Sequence, residues 1–115
     1  MKLQKVTAII RNEMLERVKV KLKEIGVPHV IVDFVSGYEN PRSLFEMPDL
    51  LTHARIEILT EEPGVKKIID CITVNAYVGT YDDGVITVSP VDEVIKVNSG
   101  GKNIINDLEI RENNN

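Results

Sequence analysis

The sequence predicts an α+β fold in which a four-stranded antiparallel sheet carries two helices on one face. Three observations lead there. Runs rich in β-branched residues recur at four places, two stretches of helical periodicity separate them, and their order is strand, helix, strand, strand, helix, strand. A chain of 115 residues that is 43% hydrophobic and 28% charged suits a single compact domain.

The first strand is read over residues 3–10 (LQKVTAII) and ends at the polar pair Arg11-Asn12, with Asn12 as the expected helix N-cap. Leu15, Val18, Leu22 and Ile25 then recur at steps of three and four, and Gly26 follows as the stop. The second strand is read over 28–35 (PHVIVDFV), broken by Ser36-Gly37. Tyr38 to Thr52 contains Asn40-Pro41, Pro48 and Asp49, and reads as a long loop that moves and contacts a partner.

The third strand, 54–59 (ARIEIL), alternates strictly. Thr60 is the expected cap of the next helix, Glu61 and Glu62 suit its positive end, and Pro63 is tolerated in its first turn. Val65, Ile68, Ile69, Ile72 and Ala76 form the apolar stripe of that helix. Residues 79–84 (GTYDDG) form a turn into the fourth strand at 85–88, and a short final run at 93–97 completes the regular structure. Residues 99–115 are a tail with a mobile end.

This order is the split βαβ pattern of a ferredoxin-like fold. The strands also carry apolar residues on both faces, Val30 and Val32 against Ile31 and Phe34 for example. The helix-free face therefore needs cover, and self-association supplies it most simply.

Composition excludes several function classes. Fourteen Lys and Arg stand against 18 Asp and Glu, for a formal charge of -4, and no basic run exceeds Lys66-Lys67, which argues against nucleic acid. No apolar stretch approaches the ~18 residues of a membrane span, no signal segment is visible, and the expected location is the cytoplasm. Cys71 is the one cysteine and reads as a small half-buried helix residue, while His29 and His53 are too separated to argue a metal site. No nucleophile with a neighbouring base and no paired catalytic carboxylates are found, so an enzyme is not expected.

Four segments, taken with their order and spacing, carry a resemblance: VTAIIRNEMLERVKVKLKEIGV at the start, the glycine at position 37, RIEILTEE, and YDDGVITVSPVDEVIKVNSG. Together they resemble the PII signal-transduction family, small trimeric ferredoxin-like proteins that sense adenine nucleotides and, often, 2-oxoglutarate. The resemblance implies a domain over 1–98, a segment at 39–52 similar to the family's T-loop, and a tail over 99–115. It implies a homotrimer whose subunit clefts take an adenine nucleotide, and a T-loop that docks on a membrane transporter or metabolic enzyme of nitrogen or carbon metabolism. Carried over residue by residue, the nucleotide-binding positions are Gly37, Tyr38, Glu39, Asp83, Gly84 and Lys96.

The departures shape the ligand. The T-loop is shorter here and lacks a matching tyrosine between Glu39 and His53, so uridylylation is not implied. The family's phosphate-holding B-loop reads Gly-Asp-Gly-Lys, where this chain has Asp82-Asp83-Gly84-Val85; the two arginines of its last strand fall at Lys96 and Asn98, a lysine at the T-loop base at His53, and the adenine-reading threonine at Ile31. An added acid and a lost lysine weaken triphosphate binding, so ADP or AMP is expected ahead of ATP. Two plainer accounts stand beside this. Asp83-Gly84 also makes a tight turn with no ligand, and Lys96 also suits a solvated strand position. The alternative function is a divergent relative that senses a small anion such as bicarbonate or acts only through protein contacts.

Overall fold

The computed structural model describes residues 2–38, 50–79 and 83–97. Its elements are β1 (Leu3–Arg11), α1 (Leu15–Glu24), β2 (Ile31–Tyr38), β3 (Leu50–Glu61), α2 (Val65–Ala76) and β4 (Gly84–Val91). The four strands form one antiparallel sheet in the order β2-β3-β1-β4, which is the ferredoxin-like arrangement. Residues 39–49 of the expected loop and the whole of the expected tail over 99–115 lie outside the described residues.

One face of the sheet makes the core. Val6, Ala8 and Ile10 of β1 and Ala54, Ile56 and Ile58 of β3 are buried together with Leu15, Val18 and Leu22 of α1 and Ile68, Ile72 and Ala76 of α2. Both helices therefore cover the same side, and their stripes are the ones that periodicity predicts. Gly26 stops α1 at φ +92, with its own N–H bonded to the Lys23 carbonyl at 3.0 Å and the Val27 N–H bonded to the Leu22 carbonyl at 3.1 Å.

Neither expected N-cap forms. β1 runs on through Arg11, which pairs with His53, so Asn12 opens a 3-10 turn (Asn12–Met14) instead of capping, and its Oδ1 is buried without a partner. Thr60 and Glu61 belong to β3 and are buried there; the Thr60 hydroxyl donates to the Glu61 carbonyl at 3.3 Å. A 3-10 turn at Glu62–Gly64, containing Pro63, leads into α2, and the Glu62 N–H donates to the Lys2 carbonyl at 2.9 Å.

Strand limits shift for one reason. Pairing continues as long as a neighbour continues, whatever the local residue preference. β2 starts at Ile31 and passes through Ser36 and Gly37 to Tyr38, because β3 supplies partners as far as Leu50. Leu50, Leu51 and Thr52 are thus strand and not loop. β4 extends from Gly84 to Val91, and over 93–97 a single bridge at Ile95 replaces the expected strand.

Phe34 corrects the face assignment. Val32 pairs with Ile56 and Phe34 with Ala54, so both lie on the helix-bearing face, as alternation requires, yet Phe34 is 61% exposed. Ile31 and Val85, at 61% and 59% exposed, do stand on the helix-free face. They share it with Lys5, Glu57, Arg55 and Asp33. Among the described residues, no helix is long and apolar enough to cross a membrane.

Candidate functional site

The site candidate lies at the end of the sheet where β1 and β2 finish and β3 and β4 begin. Gly84 opens β4 opposite Ile10, and its φ of +130 is reserved in practice for glycine. A Cβ there would run into the Ile9 carbonyl oxygen, so the residue allows β4 to approach β1 closely.

Asp83 precedes it and works on the exit of α2. One carboxylate oxygen, Oδ2, accepts the N–H of Gly79 at 2.9 Å and that of Val78 at 3.2 Å. Gly79 has φ +83 there, a turn conformation that brings successive N–H groups toward one acceptor. The carboxylate thus takes the place that an anion would take on these two donors. A cleft of about 180 Å³ adjoins this turn, walled by Ile10, Ile72, Ala76, Tyr77, Gly84 and Ile86. Its walls suit an apolar or flat aromatic group, with Asp83 as the acid at its edge.

Of the six sequence-predicted positions, the five described ones do not converge in one chain. Gly37 and Tyr38 pair with Leu51 and Leu50 at the same end of the sheet as Asp83 and Gly84, but β2 and β4 are opposite edges. Two strands separate them, about 14 Å at ~4.8 Å per strand. Lys96 comes five residues after Val91, which pairs with Leu3 at the other end of β4, about 23 Å along the strand from Gly84. Glu39 and Asp82 lie outside the described residues. Val85, where the phosphate-loop lysine was expected from the resemblance, points to the helix-free face.

Sequence reasoning missed Arg11. It is the register partner of His53, both half-buried on the helix-free face, with Val35 on the far side of His53. Arg11 Nε donates to Glu13 at 3.2 Å. The signal lay in the pairing arithmetic, since β1–β3 partners keep a constant sum of residue numbers and that sum puts position 11 against position 53. Ile31, matched to the adenine-reading threonine, pairs with Glu57 on this face.

A polar link between the helices was also missed. Asn75 is buried, accepts from Arg17 Nε at 3.2 Å and donates to the Cys71 carbonyl at 2.7 Å. Burial pushes the half-buried Cys71 thiol above its ordinary value. Among the described residues no group of three His, Cys, Asp or Glu is placed to hold a metal ion.

The comparisons with known proteins agree with this architecture. The model of the family described as "Nitrogen regulatory protein P-II" matches residues 3–101. The nitrogen regulatory protein P-II of Azospirillum brasilense is 31% identical over 107 residues, covering 87% of this chain and 96% of its own. Nitrogen regulatory protein P-II 1 of Methanothermobacter thermautotrophicus is 32% identical over 105 residues, covering 85% and 91%. Among solved structures, Arabidopsis thaliana PII bound to citrate superposes with a TM-score of 0.79 at 28% identity, covering 97% of this chain and 94% of that one. The B. subtilis GlnK-ATP complex superposes with a TM-score of 0.80, covering 93% and 96%, and at 21% identity it shows likeness of fold.

Proposed function

We propose, on the premise that this chain belongs to the nitrogen regulatory protein P-II family, that it is a regulatory protein that binds an adenine nucleotide, ADP or AMP ahead of ATP, at clefts between the subunits of a homotrimer. Its segment at 39–52 then carries the signal to a transporter or metabolic enzyme. The relatives' name supports regulation over catalysis.

Asp83 matches the phosphate loop's own acid and holds the Val78 and Gly79 N–H groups. The observation that carries the ligand preference is the pair of replacements beside it, the apolar Val85 at the position matched to the loop's lysine and Asp82, the added acid, at a position matched to glycine. Each added phosphate charge brings more repulsion from the acid with no new donor, so affinity should fall from diphosphate to triphosphate. The spread of Gly37, Tyr38, Asp83, Gly84 and Lys96 supports clefts between subunits. Residues on two edges and two ends of one sheet line a common pocket only when neighbouring copies contribute.

The second reading is a small anion such as bicarbonate, and it draws on Arg11 and His53 facing each other at the sheet end. Calorimetry with ATP, ADP, AMP and bicarbonate separates the two. ADP or AMP should bind more tightly than ATP, Lys96→Ala should weaken the nucleotide ten- to a hundredfold, as about 1.5–3 kcal/mol for a charge-assisted contact implies, and Asp82→Gly with Val85→Lys should strengthen ATP. Tighter ATP than ADP in the unaltered protein would refute the charge argument. Binding of bicarbonate alone would install the second reading.

A further inference from the structure

We propose that the Asp33–Arg55 ion pair is the contact that aligns copies of this chain across the helix-free face of the sheet, an inference that rests on the self-association reading above. The pair is a register pair between β2 and β3, joined by two hydrogen bonds, Arg55 Nε to Oδ1 at 2.9 Å and Arg55 Nη2 to Oδ2 at 2.6 Å. Glu16–Lys19, Lys21–Glu24 and Lys66–Asp70 each sit within one helix, whereas this pair ties two strands together across the sheet. In the single chain its side chains remain 39% and 49% exposed.

The pair is open to solvent in the single chain and has apolar neighbours on the same face. Its row of the sheet continues into Ile9 and Val85, and Ile31 and Val35 flank Asp33 along β2. Ile31 and Val85 are more than half exposed, so the face offers apolar area around a fixed, directional charge pair.

The charges indicate the occupant. The chain carries -4 overall, but on the inner rows of this face Lys5 and Arg55 balance Asp33 and Glu57, two against two. A partner chosen by excess charge would find nothing to select here. A second copy would find alternating signs complementary to its own, on a face where two acidic molecules do not repel. Arg55 spends two of its five N–H groups on Asp33, and the rest of the fork is available to acceptors of a facing copy.

The test is oligomeric mass by sedimentation from micromolar to nanomolar concentration, with circular dichroism on each sample. The proteins are the unaltered chain, Asp33→Asn, Arg55→Gln and the exchanged double variant Asp33→Arg with Arg55→Asp. Each single variant strands a charge that the contact buries, so dissociation should move to about a hundredfold higher concentration with an unchanged folded signal. The exchanged pair should recover most of that loss. An assembled parent with single variants within twofold of it overturns the inference and leaves the assembly reading standing. A parent that is monomeric throughout overturns both. A single variant that loses its folded signal shows that the pair serves the subunit itself, and overturns the inference as well.

Discussion

Replacing Gly84 by alanine should unfold this protein far more readily than the same change at Gly79, although both glycines have positive φ. Gly79 sits at φ +83, and among the described residues a Cβ there would meet the Tyr77 ring, at 3.7 Å from its hydroxyl oxygen, an ordinary contact. Alanine at that site costs about 1–2 kcal/mol, the usual penalty of the left-handed conformation. Gly84 is at φ +130, and its Cβ would strike the Ile9 carbonyl oxygen and lie 3.1 Å from the Ile10 Cα. Both obstacles are backbone of the central strand β1 and cannot rotate away. The dihedral strain there costs about 1–3 kcal/mol. Relieving the collision means pulling β4 off β1 at Ile10, at about 1 kcal/mol for each ladder hydrogen bond lost. With one ladder bond lost the sum is about 2–4 kcal/mol against about 1–2 at Gly79, out of the 5–15 kcal/mol of a typical domain. Thermal and urea unfolding of Gly84→Ala, Gly79→Ala and the parent at one fixed protein concentration measure this, with a fall in Tm of about 4 °C or more expected for each kcal/mol. Equal losses for the two variants, or a loss under ~1 kcal/mol at Gly84, would refute the argument from backbone collision.

Other predictions follow from single contacts. Asp83→Ala removes the acceptor of the Val78 and Gly79 N–H groups and should cost about 1–2 kcal/mol in urea unfolding, the solvent at this turn taking the rest, while speeding hydrogen exchange at those two amides. Asn75→Ala leaves Arg17 without that acceptor across the helix pair and should destabilise by about 1–2 kcal/mol, read by the same unfolding. Hydrogen bonding to Arg55 holds the Asp33 carboxyl below its ordinary value of 3.8, so its stabilising share is present above that value and disappears as pH falls through the lowered one. An NMR titration should show Asp33 titrating below 3.8 in the parent and moving back toward that value in Arg55→Gln.

Most of what was legible in advance was local. Gly26 was readable as a helix stop because a positive φ at that place favours glycine, and the stripes of α1 and α2 were readable because burial follows the helical period. The misassigned features were settled by distant chain. Asn12 and Thr60 have the chemistry of caps, but β1 and β3 pair with each other past those points and draw Arg11, Thr60 and Glu61 into the sheet. Ser36-Gly37 has the composition of a break, yet β3 offers it hydrogen-bond partners. Phe34 was a misreading of a pattern already present, since alternation alone groups it with Val32.

The sequence by itself determined the order of elements, the faces of the helices and, through resemblance of ordered motifs, the family. Those properties are encoded by neighbours within a few positions, where period and backbone preference act directly. Only the tertiary structure decided that Asp83 closes on the exit of α2, that Arg11 meets His53, that Asp33 is tied to Arg55, and that the expected ligand positions lie on separate edges and ends of one sheet. Each of these depends on strand register or on a turn joining two elements, and register is set by how a whole hydrophobic face packs, a sum over the core that no short stretch of residues contains.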